Sequence, residues 1–284
     1  MPPSQTHTEA IGFPITPTQE HIFTAFTSIT LFISIELILL CLTTFKRYAG
    51  CYFFSMLIAS CSVIVNTVGM TLFFFAPVTS YLSVSVILLG WYPMITGHSL
   101  VLWSRLHLVL QRPRVLRWIL YLIITNAILL GIPVTVFLFG AVTPEVGDTF
   151  LDGYGIVERI QLVVFCLQEI LLSVIYIVET TKMLGLRPER KHRVILVQLI
   201  AINIVILVLD VVVVVFQYAG LYALQVATKG VAYGVKLRLE YAILGRLVLV
   251  ATGGTSSVGL ERHQARHQAQ RRQQPRDIGR IQII

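Results

Sequence analysis

Seven side chains in this sequence are chemically at odds with their surroundings. Glu36, His98, Gln168, Glu169, Asn203, Asp210 and Lys229 are ionisable or amide groups set inside long apolar runs. An ionisable group in hydrocarbon costs about 2.5–3.5 kcal/mol on insertion scales, so such groups turn toward a polar interior. Three kinds of chemistry are open to them there. Carboxylates and an imidazole can relay protons, which makes Glu36, Glu169, Asp210 and His98 candidate relay groups. A lysine can form a Schiff base, for which Lys229 in QVATKGVAYG is the candidate. Any of them can bind a ligand or simply pair with one another inside the bundle.

The elements that must carry these groups follow from composition. Of 284 residues, 56% are hydrophobic and 13% charged, with a mean hydropathy of +0.79. A soluble domain is roughly 45–50% apolar and about 25% charged. A soluble enzyme, a disordered chain and a coiled coil are therefore excluded. About 20 apolar residues cross the ~30 Å of bilayer hydrocarbon. Seven segments qualify: Ile22–Phe45, Cys51–Phe75, Tyr81–Trp103, Val115–Gly140, Ile160–Val178, Val194–Tyr218 and Leu221–Ile243. The seventh is the weakest, because it carries Lys229, Lys236, Arg238 and Glu240. The expected fold is an all-α, polytopic, seven-transmembrane-helix bundle over 22–250. A disordered extracytoplasmic N-terminus (1–21) and a disordered basic cytoplasmic tail (251–284) flank it.

With the N-terminus outside, 20 of the 22 Lys and Arg residues fall on the inner side, leaving Arg159 and Lys229 outside. Glu145, Asp148, Asp152 and Glu158 lie in the outer connections. The positive-inside rule then places the C-terminus in the cytoplasm. The N-terminal stretch lacks the charged and apolar regions of a cleavable signal peptide. Cys41, Cys51, Cys61 and Cys166 fall in or at the edge of apolar runs, read as packing residues rather than disulfide partners.

Helical periodicity groups the polar residues. Glu158, Gln161, Gln168, Glu169, Ser173, Tyr176 and Glu179 share one stripe on the fifth segment. Tyr222, Gln225, Lys229, Tyr233, Lys236 and Glu240 share one on the seventh. Lysines of the seventh could pair with Asp210 and Asn203, which share a face of the sixth, or with Glu169, and we expect the polar faces of the fifth, sixth and seventh segments to meet near Glu169, Asp210 and Lys229. In the third segment Pro93 favours a kink. Arg105 and His107 read there as interfacial anchors, and Trp91, Tyr92 and Trp103 as aromatic belts. The tail ERHQARHQAQRRQQPR suits anionic inner-leaflet lipid. It has no interleaved aromatics for stacking bases, so no nucleic-acid partner is expected.

Several stretches together carry a family resemblance: YFFSMLIAS (Tyr52–Ser60), WYPMITGHSLVLWSRLHLV (Trp91–Val109), ERIQLVVFCLQEILLSVIYIVET (Glu158–Thr180), QLIAINIVILVLD (Gln198–Asp210) and KLRLEYAILGRLV (Lys236–Val248). Over about Ile22–Val250 the chain resembles a fungal family of integral membrane proteins known only as a domain of unknown function. The resemblance implies a seven-helix membrane protein broadly like fungal rhodopsin-like receptors, and it supplies no ligand or catalytic residue.

The leading expectation is a receptor-like or sensory protein with a polar core, a cytoplasmic signalling partner and a plasma-membrane location. A transporter or proton-coupled carrier is the alternative. Retinal at Lys229 ranks below both, because Gln225 stands where microbial rhodopsins carry Asp and the third segment has no acidic residue. No enzyme is expected: histidines are too few and too scattered for a zinc or haem site, and no GxSxG occurs. No resident cofactor or metal is expected.

Overall fold

Apolar runs of this length leave the backbone no partner but itself in a membrane, which dictates helices. The computed structural model describes residues 17–44, 51–75, 79–110, 112–143, 147–186, 190–219 and 224–243. These hold seven helices: α1 (Pro17–Thr44), α2 (Cys51–Phe75), α3 (Ser80–Val109), α4 (Pro113–Ala141), α5 (Gly147–Leu186), α6 (Arg190–Tyr218) and α7 (224–243). The chain divides into two compact units, Met1–Ala242 and Ile243–Ile284. All contacts below lie in the first. The second is described only at Ile243, the last residue of α7. The N-terminal stretch to 16, the tail, Lys46, Arg47, Tyr222 and Arg246 lie outside the described residues.

Six helices, α1 to α6, are long and apolar enough to cross a membrane. Together they make an all-α, multi-pass membrane bundle. α7 falls short on apolarity yet spans 20 residues, or about 30 Å at 1.5 Å per residue. Among those residues only Arg238 and Ala242 are exposed. α7 is a charged helix enclosed by apolar ones.

Its direction follows from its contacts. Gly230 packs on Thr30 and Gly234 on Ile33 of α1, while Tyr241 donates to the Leu40 carbonyl. The numbering rises together, so α1 and α7 run parallel. α5 and α7 do too, because Glu158 meets Lys229 and Glu169 meets Lys236. α1, α5 and α7 therefore run in the same direction.

Element boundaries depart from the apolar runs. α1 begins at Pro17, five residues before Ile22, since Pro in a first turn and Glu20 at the positive end of the helix dipole favour initiation. α5 starts at Gly147, so most of the expected outer loop 141–159 is helix. The ring of Phe150 packs on Phe137 at 5.8 Å, and Gly153 leaves room for the same Phe137. Packing on α4 overrides the polar, glycine-bearing local sequence. Glu158 is consequently a buried helical residue rather than a loop charge.

α2 and α3 pack backbone to backbone. A Cβ on Gly69 would lie 2.8 Å from the Ile87 nitrogen, and one on Gly97 would lie 3.0 Å from the Ala59 Cβ. Asn66 Nδ2 donates to the Ile87 carbonyl across this seam at 3.2 Å. Small residues permit the approach that van der Waals attraction rewards inside a bilayer. Several serines and threonines return their hydroxyls to their own helix, as in Ser60 to Met56 and Thr67 to Val63, each 2.7 Å.

The aromatic side chains of α3 also make contacts between helices. Trp103 Nε1 donates to the Leu116 carbonyl on α4 at 2.9 Å, Tyr92 bonds Thr135 at 2.6 Å, and Trp91 packs on Phe165. These rings tie α3 to its neighbours. The outward faces are apolar, with Trp118 75%, Leu89 70% and Phe32 69% exposed. Cys41 is buried, Cys51 and Cys61 are exposed, and all four cysteines are free thiols.

We expect Gly69→Ala to lower stability by about 1–3 kcal/mol, the cost of overpacking a close seam. Gly155→Ala, where a Cβ meets nothing within 4 Å, should be neutral or stabilising by up to about 1 kcal/mol. Thermal unfolding in detergent reads both, and equal effects would sink the account of the α2–α3 seam.

Candidate functional site

α7 carries a basic or acidic group at positions 229, 236 and 240 on its inward side and at 238 on its exposed side. Each meets an opposite charge from another helix. Near the start of α7, Lys229 Nζ bonds Glu158 Oε1 of α5 at 2.8 Å. Two turns on, or about 10 Å along the axis, Lys236 Nζ bonds Glu169 Oε2 of α5 at 2.8 Å and also bonds Asp210 Oδ1 of α6. Its ammonium lies 4.7 Å from the Tyr233 ring centre. His98 of α3 stands edge-on to Tyr233 at 5.6 Å, with Nε2 3.6 Å from Glu169 Oε2. One turn further, Arg105 of α3 reaches Glu240 Oε2 at 2.8 Å and donates from Nη2 to Asn203 Oδ1 of α6 at 2.6 Å. Its guanidinium lies 4.2 Å over the Tyr176 ring. Arg238 pairs with Glu36 of α1 at a half-exposed position.

Burial sets the stakes. Arg105 is 2% exposed, Lys236 1% and Glu240 0%. A charge removed from water costs several kcal/mol, and a partner offsets that only with close geometry and further hydrogen bonds. Lys236 meets this demand with two carboxylates and an aromatic face. Arg105 has a carboxylate, an amide oxygen and a ring beside it, while its Nε and Nη1 and both Glu240 oxygens make no hydrogen bond among the described residues.

A cavity of about 60 Å³ lies between the first two pairs. Glu158 and Lys229 border one end and Glu169, Asp210 and Lys236 the other, with Trp91 and Phe165 among its apolar walls. Waters need about 10–15 Å³ each on this measure, so a few fit. Several buried polar atoms have no hydrogen-bond partner among the described residues, including both His98 nitrogens, Asp210 Oδ2 and both amide atoms of Gln225. Among the described residues, no group of three or more His, Cys, Asp or Glu is disposed to hold a metal ion. Glu169 and Asp210 hold an ammonium instead.

The sequence-derived candidates divide as follows. Glu169, Asp210 and His98 come together. Lys229 borders the same cavity, but the lysine that joins Glu169 to Asp210 is Lys236; Lys229 is two turns away with Glu158. Asn203 binds Arg105 and not a lysine. Glu36 sits apart with Arg238. Gln168 faces α3 and α4, accepting from Asn126 at 2.7 Å and donating to Ser99 at 3.0 Å. Adjacent residues point about 100° apart on a helix, so Gln168 and Glu169 serve different contacts.

Sequence reasoning missed Arg105 as a core residue, reading it as an interfacial anchor. The available signal was its seven-residue spacing from His98, which puts both on one face. Lys236 belongs to the polar stripe of α7, and its pairing with Asp210 and Glu169 is one the sequence allows for any lysine of that stripe.

The fold and this core define a multi-pass helical membrane protein whose interior is held by buried ion pairs. The profile of the family described as Domain of unknown function (DUF7703) matches residues 10–258. The chain belongs to that family, in agreement with the resemblance carried by its helix motifs. No curated protein matches the chain.

We expect Arg105→Met to cost about 3–5 kcal/mol, because it strands a buried carboxylate. Arg105→Met combined with Glu240→Gln should recover much of that loss. Strict additivity in this double-mutant cycle, measured by unfolding in detergent, would show that the pair is uncoupled.

Proposed function

We propose that this chain is a receptor-like, sensory membrane protein with its N-terminus outside and its C-terminus in the cytoplasm. The observation that carries the reading is the cavity bordered by ion pairs that α7 makes with α5 and α6. A stimulus that competes for the Glu158–Lys229 pair would loosen α7 from α5. The same rigid helix would transmit the change to Glu240 and Arg105, 11 residues or about 16 Å further along. Ion pairs with two discrete arrangements suit a bistable element.

The orientation rests on Arg112, Arg114, Arg117, Lys182 and the basic tail, which share one side of the topology. That side would meet anionic lipid and a cytoplasmic signalling partner, with the plasma membrane as the favoured site. Two observations weigh against retinal at Lys229. Its amine is held by Glu158, and the adjoining cavity of about 60 Å³ is small beside ligand pockets of roughly 300 Å³ or more. A proton-coupled carrier is the second reading, favoured by Glu169, Asp210 and His98 clustering within the spans.

The test uses spin labels at two exposed positions, Thr181 on α5 and Ala242 on α7, in nanodiscs. Lys229→Met should populate a second inter-label distance, and Lys182→Met should not. One unchanged distance in Lys229→Met would defeat the sensory reading. Sustained proton flux into dye-loaded liposomes under an imposed gradient would select the carrier. A tag at the N-terminus should be accessible to antibody on sealed cells; access only after permeabilisation would reverse the orientation.

A further inference from the structure

Among the described residues, the enclosed charges do not balance. Lys229, Lys236 and Arg105 face Glu158, Glu169, Asp210 and Glu240, so three cations meet four carboxylates. Glu158–Lys229 and Glu240–Arg105 are matched one to one. The excess negative charge therefore lies at the middle level, where Glu169 and Asp210 both bond the single Lys236 ammonium. An uncompensated charge in a low-dielectric interior is costly, and in practice such a group neutralises.

A group able to take up the balancing proton is already present. His98 is 0% exposed, neither ring nitrogen has a hydrogen-bond partner among the described residues, and Nε2 is 3.6 Å from Glu169. Asp210 Oδ2 is likewise buried and unpartnered. Cys166 of α5 and Tyr233 of α7 border the cluster. Lys229 and Glu158 face it across the cavity, and Arg105, Glu240, Tyr176 and Tyr52 lie one turn beyond.

We infer that Glu169, Asp210 and His98, gathered around the Lys236 ammonium, form a binding site for one proton. The proton enters from water by way of the adjoining cavity and brings the enclosed set to neutrality. Raising the pH removes it and leaves one net negative charge inside the bundle. The proton-bound state is therefore the more stable one, and that stability is lost as pH rises through the release. The inference does not rest on the sensory reading, since a sensor and a carrier could both use such a site.

Infrared difference spectroscopy of the full-length protein in nanodiscs, titrated from acid to alkaline pH, tests this. Ring-nitrogen-labelled histidine, read by NMR, reports imidazolium in the same samples. One proton should leave per protein, as loss of a protonated-carboxyl band or of the His98 imidazolium signal. Asp210→Asn, with three carboxylates for three cations, should lack the release. Glu169→Gln should behave alike and serves if Asp210→Asn does not fold. Glu179→Gln, which alters an outlying pair with the 61%-exposed Lys182, should retain it. Release that persists in a folded Asp210→Asn or Glu169→Gln overturns the site. So does a wild type whose cluster carboxylates are ionised and whose His98 is neutral at every pH where the bundle is folded. The wild-type titration decides alone if neither variant folds. Its failure would leave the spin-label test of the sensory reading untouched.

Discussion

A charged helix can lie within an apolar bundle only if each of its charges finds a partner, and that requirement organises this molecule. α7 carries Lys229, Lys236, Arg238 and Glu240, and the partners come from four different helices: Glu36 of α1, Arg105 of α3, Glu158 and Glu169 of α5, and Asp210 of α6. Removing one partner strands a charge in low dielectric, where the penalty exceeds that of a lost apolar contact. Shifting α7 along its axis would separate these pairs together, so they favour the observed register.

The remaining contacts are of a different kind. α2 and α3 meet through Gly69, Gly97 and Ala59, with almost no room for change. Such a seam transmits force without yielding, since close-packed interiors are weakly compressible. The polar core has a cavity, unpartnered groups and an odd charge. A close-packed seam beside a looser polar centre is the arrangement that the proposed sensory response would need.

The positive-inside argument also changes in content. Arg105, Lys236 and Arg238 counted as inner-face charges in the sequence. Arg105 and Lys236 are in fact enclosed, and Arg238 is engaged with Glu36. They contribute to internal pairing before topology. Arg112, Arg114 and Arg117, by contrast, are exposed at the start of α4.

Hydropathy and helical period determined the helix count, the class of fold and the polar stripes on α5 and α7. Those signals depend only on chain-local regularities: 20-residue apolar length and a 100° step. The sequence also carried Glu169, Asp210 and His98 as inward-facing groups, because an unpaired charge cannot face lipid. Which lysine joins the carboxylates was decided by tertiary structure alone. Lys229 and Lys236 lie two turns apart on one stripe, so periodicity cannot choose between them; only the relative height of α7 against α5 and α6 can. Arg105 shows the same limit, since its sequence reads equally well as a snorkelling anchor or a core cation. The extension of α5 back to Gly147 likewise depends on Phe137 of α4, a contact that no local propensity encodes.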